Sequence, residues 1–168
     1  MTKSYAELHA KTQAALRDGT ANNPLTVTVT SKNQGGFESR ISMRDHEIVS
    51  DQPFGFGGGN KGPKPSELLL AALAACQEVT WRLYAETMGV RIDGISIALR
   101  GTQDLRGFMA VDKAVPAGFL KIEGEVLIDS PASAEELKEL QRVVDAHCPV
   151  LDDLVRSVPV SLVMKQAG

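Results

Sequence analysis

Two cysteines, Cys76 and Cys148, are the natural place to look for chemistry in this 168-residue chain. Cys76 closes the stretch GPKPSELLLAALAAC, residues 62–76. Two readings of it stay open. A free cysteine is among the most often buried residue types and packs as a small hydrophobe. Its thiolate is also a nucleophile, which a protein can present to a substrate. Cys148 precedes Pro149, and proline favours the first position of a helix. Cys148 is therefore an expected N-cap, where unpaired N–H groups and the helix dipole lower a thiol pKa. The competing reading is a cap residue packed under a loop. If the two cysteines meet, one can attack an oxidant and the other can resolve the sulfenic acid as a disulfide. Two cysteines so far apart make neither a disulfide framework nor a four-ligand zinc pattern.

The other candidates are weaker. His147 is next to Cys148, but neighbouring helical residues point apart, which disfavours a Cys/His nucleophile pair. His46, in Arg44-Asp45-His46-Glu47, reads as a turn or strand residue. A metal site needs at least three converging ligands, and none is expected. Glu67 falls in the first turn of a helix, where its charge suits the dipole whether or not it serves a site. Arg40 and Arg44 lie on or near early strands and are candidate cations. The run FGFGGGNKG fits neither phosphate-loop nor dinucleotide-loop spacing. Its glycines are expected to let the backbone turn tightly and approach another backbone or a substrate.

The elements that would position these groups are legible in outline. Ser4 and Glu7 have capping-box spacing and open a surface helix that runs to Arg17. Leu25–Thr30 alternates with period two, as a half-buried strand does. Gln34-Gly35-Gly36 is a hairpin turn, followed by short strands over 37–43 and 47–50. Residues 53–65 hold five glycines and three prolines and are expected to carry no regular element. A long helix follows over 65–88, with Pro65 in its first turn and Gly89 as its stop. Its first half is apolar on every side and is expected to be buried all round. A strand at 95–99, an irregular stretch at 101–118 and a strand at 119–128 come next. Ser133 and Glu136 cap a helix to about His147, Pro149 opens a short helix to about Val155, and Val158–Met164 reads as a closing strand. The order argues an α+β fold, with antiparallel sheet packed on a long central helix.

Composition narrows the function. With 43% hydrophobic and 23% charged residues the chain is ordinary globular protein in one domain spanning 1–168, of which 1–20 are an extra N-terminal helix. A net charge of −3 with no basic run argues against nucleic acid or an anionic membrane as partner. The N-terminal residues lack the apolar core of a secretory signal, so the cytoplasm is the expected location.

The stretch GPKPSELLLAALAAC, the Cys148-Pro149-Val150 that follows, Asp51-Gln52-Pro53 and the glycines at 57–59 together resemble the OsmC/Ohr superfamily of thiol-dependent peroxidases. The resemblance covers roughly residues 25–165. It implies an OsmC-like fold, an intertwined homodimer with central long helices, and two active sites at the dimer interface. It matches Cys76 to the peroxidatic cysteine and Cys148 to the resolving one. It implies an organic hydroperoxide as substrate and a role in oxidative stress defence. It also implies an external thiol reductant, with a lipoyl dithiol one option, and no bound cofactor. The family pattern places a Glu ten positions before the first cysteine, where this chain has Ser66 with Glu67 one later. It also has no clear match for the family's arginine, leaving Arg40, Arg44 and Lys61 as geometric candidates. Those departures motivate an alternative: an OsmC-like dimer that binds or supports rather than catalyses.

Overall fold

A computed structural model describes residues 4–166. Its centre is α2, Pro65–Met88, bounded as the sequence predicts. Pro65 takes the first position, where a missing N–H costs nothing. Gly89 ends the helix in the left-handed region (φ 72°), which glycine enters without penalty. Twenty-four residues make a rod about 36 Å long.

Before it, β1 (Thr30–Gly35), β2 (Glu38–Met43) and β3 (His46–Ser50) form an antiparallel sheet in the order β1-β2-β3. Gly35 and Gly36, both with positive φ, turn the first hairpin. After α2, β4 (Gly94–Gln103) and β5 (Phe119–Asp129) pair antiparallel, with Ile95 opposite Ile128 and Ile97 opposite Val126. Between them lies the short helix α3, Leu105–Phe108. The predicted irregular stretch is thus partly ordered. Next comes α4, Ala134–His147, with both halves of its capping box formed at Ser133 and Glu136. The last helix is α5, Pro149–Val155. Trp81 and Ala85 of α2 meet Leu140 and Val144 of α4 in the buried core, with Ile95 and Ile128 packed against them. None of the described helices is long and apolar enough to cross a membrane.

The Gly/Pro loop is more ordered than expected. Phe54–Phe56 forms one 3-10 turn, and Asp51 pins the rest. Its buried carboxylate accepts from the backbone N–H of Gln52 (2.7 Å), Gly59 (2.9 Å) and Lys61 (3.2 Å). Burial alone pushes this acid up, but those three donors and the Lys61 ammonium outweigh it and hold the carboxyl below its ordinary range. Glycine is obligatory at two contacts. A Cβ on Gly58 would stand 2.0 Å from the Gln52 carbonyl oxygen, and one on Gly62 would stand 2.2 Å from that of Val49.

The N-terminal helix α1, Tyr5–Arg17, lies on the surface with no buried residue. Half of its expected capping box forms: Ser4 Oγ accepts from Glu7 N. An acid from α2 also holds this end. Glu86 takes the Ser4 hydroxyl and the Ala6 N–H (3.2 Å), which lowers its carboxyl pKa.

Three expectations are overturned within the single chain, for one physical reason. Leu25–Val29 and Val158–Met164 belong to no strand here. Leu25 is 83% and Leu162 93% exposed. The first half of α2 is not buried all round, since Leu69, Ala71, Ala72 and Ala75 are open to solvent. The two strand-patterned segments pair as strands with nothing among the described residues, and α2, though packed against α4, α5 and β4, keeps one apolar face open. The accessible surface is 12,810 Å², against about 8,000 Å² for a compact monomer of this mass.

Candidate functional site

Cys76 and Cys148 meet. α2 carries Cys76 about three turns past its start, and the α4–α5 corner carries Cys148. Cys148 ends α4 and is also the N-cap of α5, with extended backbone (φ −78°, ψ 111°). That is the position Pro149 predicts. Its Sγ lies 3.3 Å from Cys76 Sγ, and both thiols are free. Contacts between α2 and both α4 and α5 close this corner.

The two sulfurs are not equivalent. Cys148 is fully buried and Cys76 is half-buried. Burial pushes the Cys148 thiol pKa up, and the Leu151 N–H and Thr80 hydroxyl that oppose it do not compensate. This corrects the expectation of a depressed pKa at the α5 N-cap. The cap position is right, but a dry pocket favours the neutral thiol more than one short helix turn favours the anion. Burial thus favours the neutral form of Cys148 in this close pair. Thr80, one turn after Cys76 and buried, donates its hydroxyl to the Cys76 carbonyl (2.7 Å) and also reaches the Cys148 thiol. The i+4 spacing to Cys76 is the signal that could have picked it out.

A mostly apolar cavity of about 460 Å³ lies between α2, α5 and the β4–β5 sheet, and neither sulfur lines it. Leu73 and Gln77 line it from α2, Ile97, Leu99 and Ile122 from the β4–β5 sheet, and Leu151 from α5.

A family model described as OsmC-like protein matches residues 58–163. The chain belongs to this family. The OsmC match takes in both cysteines and leaves α1 outside. The fold agrees with solved OsmC-like structures. An OsmC-like protein from Mycoplasma pneumoniae superposes with a TM-score of 0.70 at 24% identity, over 80% of this chain and 90% of that one. An organic hydroperoxide resistance protein OsmC from Legionella pneumophila gives 0.61 at 20% identity, over 81% and 93%. The organic hydroperoxide resistance protein OhrB of Bacillus subtilis gives 0.53 at 23% identity, over 79% and 92%. No curated protein matches.

The remaining OsmC-like site candidates lie elsewhere in the protomer. Glu67 is nine residues, or about 13 Å of helix, before Cys76. It accepts from the Lys64 backbone N–H (3.0 Å) and caps α2. Arg40 pairs with Glu47 at 3.1 Å. Ser39 and Ile41 share a cavity with Pro65 and Leu68 of α2, so strand alternation puts Arg40 on the other face. Arg44 is at the tip of the β2–β3 turn with φ 51°. Lys61 pairs with Glu38, which raises its pKa. His147 turns away from Cys148: its Nδ1 lies 2.7 Å from the Val143 carbonyl and its ring rests against Tyr84. Among the described residues no Arg or Lys bonds either sulfur, and no three His, Cys, Asp or Glu converge as a metal site.

Proposed function

We propose that this OsmC-like chain is a thiol-dependent peroxidase that reduces organic hydroperoxides, with Cys76 as nucleophile and Cys148 as resolving thiol. The observation that carries the reading is the sulfur pair at 3.3 Å, unequal in burial, with Cys76 half-buried and the thiol pKa of the fully buried Cys148 raised. The Cys76 thiolate attacks the terminal oxygen of R–O–OH. The O–O bond breaks, Cys76 becomes a sulfenic acid, and the alkoxide takes a proton to leave as ROH. Cys148 then attacks the sulfenic sulfur, losing its proton as water departs, and a Cys76–Cys148 disulfide forms. An external dithiol restores both thiols and is itself oxidised to a disulfide. A lipoyl group has the right two-electron chemistry, and no bound cofactor enters the cycle. The apolar cavity lined by Leu73 and Gln77, neighbours of Cys76 on α2, would suit an alkyl tail better than hydrogen peroxide. The reducing cytoplasm suits thiols that must return to the free state.

The working unit of this proposal is a homodimer. Each protomer exposes some 4,800 Å² more than a compact chain of its mass, about 9,500 Å² for two, which is ample for an obligate interface that buries about 2,000–5,000 Å² in total. Leu25–Val29 and Val158–Met164 are strand-patterned segments that a second copy would pair, and the open face of α2 would be covered with them.

A second reading, a dimer that binds without catalysing, is favoured by Ser66 at the family's Glu position and by the lack of a cation on either sulfur among the described residues. One experiment separates the two. Cumene hydroperoxide is mixed with reduced wild type, Cys76→Ser and Cys148→Ser, and peroxide loss and thiol loss are followed. The peroxidase reading expects turnover with a dithiol in wild type, one equivalent consumed by Cys148→Ser, and none by Cys76→Ser. Equal consumption by wild type and Cys76→Ser leaves the binding reading standing.

A further inference from the structure

Thr80 is the buried polar side chain that stands next to both cysteines. It lies one turn after Cys76 on α2 and is 5% exposed. Its hydroxyl donates to the Cys76 carbonyl at 2.7 Å. A bond back to the preceding turn is ordinary for a helical threonine. Thr87 makes the same bond, to the Leu83 carbonyl at 2.8 Å, where the helix is exposed. What sets Thr80 apart is its other neighbour. The same hydroxyl reaches Cys148, whose side chain is fully buried.

A thiol attacks as its thiolate. For Cys148 that means a charge in a dry corner, which costs free energy unless donors meet it. Among the described residues no Arg or Lys bonds this sulfur. The Leu151 backbone N–H and the Thr80 hydroxyl are the two groups that favour its anion. The N–H is fixed by α5. The hydroxyl can turn, because it carries one proton and two lone pairs on a rotatable bond. Rotation takes that proton from the Cys76 carbonyl to the Cys148 sulfur with no backbone movement. The carbonyl keeps its helical N–H partner.

We propose that Thr80 serves the resolving step, its hydroxyl turning from the Cys76 carbonyl to donate to the Cys148 sulfur as that sulfur attacks Cys76. The inference rests on the proposed resolving role of Cys148. In that step the Cys148–Cys76 S–S bond forms and the S–O bond of the Cys76 sulfenic acid breaks. The Cys148 proton leaves with the departing hydroxyl as water. Thr80 keeps its own proton throughout and offsets the charge on the attacking sulfur.

A mixed disulfide isolates this step from peroxide. Reduced full-length protein is mixed with one equivalent of dithiobis(nitrobenzoate). The half-buried Cys76 takes the aryl thiol and releases a first thionitrobenzoate anion. Cys148 then attacks Cys76 Sγ, the bond to the aryl sulfur breaks, a second anion leaves, and the Cys148 proton passes to solvent. Absorbance follows both phases. Wild type should show both, and Cys148→Ser only the first. Thr80→Val should leave the first phase within about twofold and slow the second about ten- to hundredfold, as loss of one hydrogen bond to a charged group does. The pH of half-maximal second-phase rate should rise by about one to two pH units, because a lost donor disfavours the anion. Thr80→Ala should behave as Thr80→Val, Thr80→Ser should restore rate and pH profile, and Thr87→Val should change neither. Circular dichroism confirms that each variant is folded. The proposal is overturned by a wild type that releases one anion only, by a folded Thr80→Val or Thr80→Ala with a wild-type second phase, by equal slowing of both phases, or by Thr80→Ser as slow as Thr80→Val. Hydroperoxide does not enter this assay, so a wild type that shows both phases and leaves cumene hydroperoxide intact overturns the peroxidase reading alone.

Discussion

Leu162→Asp is the sharpest probe of the proposed dimer. Leu162 is 93% exposed, and the segment around it pairs as a strand with nothing among the described residues. In a monomer, such a surface substitution changes stability by less than about 0.5 kcal/mol. In a dimer that buries this segment, a buried Leu is worth about 1.5–3 kcal/mol, and twofold symmetry counts the loss twice. The dimer therefore loses about 3–6 kcal/mol, a hundredfold to ten-thousandfold in its dissociation constant. The buried aspartate adds to that. Light scattering after size exclusion reads the mass, and urea unfolding at several protein concentrations reads the coupling of folding to association. The wild type should run at twice 18.0 kDa, with a midpoint that rises with concentration. Leu162→Asp should shift the mass toward the monomer and lower the midpoint. A monomeric wild type whose midpoint ignores both concentration and the substitution would refute the reasoning.

Other outcomes follow from single contacts. Because burial raises the Cys148 pKa, this thiol contributes stability that is fully present below the unfolded thiol pKa, near 9, and is lost as pH rises through the higher folded value. Denaturation of reduced protein from pH 7 upward should show that decline, and Cys148→Ala should flatten it. Gly62→Ala puts a Cβ 2.2 Å from the Val49 carbonyl oxygen and should cost about 1–3 kcal/mol in urea unfolding, the usual penalty of overpacking. Glu86→Ala removes the carboxylate that holds Ser4 and Ala6. Limited trypsin digestion should then cut faster after Lys11 and Arg17 while the core stays intact.

How much was legible depended on the range of the interaction. Pro65 and Gly89 bound α2, Ser133 and Glu136 start α4, and Pro149 starts α5, because a cap is settled within one helical turn. Asp51 was legible only as part of a motif. Its work, gathering three N–H groups from a loop that curls back over it, appears once the loop is folded. Ser4 shows the limit of a local rule. Its cap on Glu7 N formed, but its hydroxyl and the Ala6 N–H are taken by Glu86, 82 residues on from Ser4.

Sequence alone determined that two thiols are present, that one sits on a long apolar helix and that the other caps a short one. Tertiary structure decided that they are 3.3 Å apart and that Cys148 is the buried member, whose thiol pKa is raised. The reason is that desolvation belongs to the volume around an atom, and that volume is filled by α2, α4 and α5 together. For the same reason Leu25–Val29 and Val158–Met164 have strand patterns without being strands here: alternation records what a segment needs to pair with, while hydrogen bonds require that the neighbour be present.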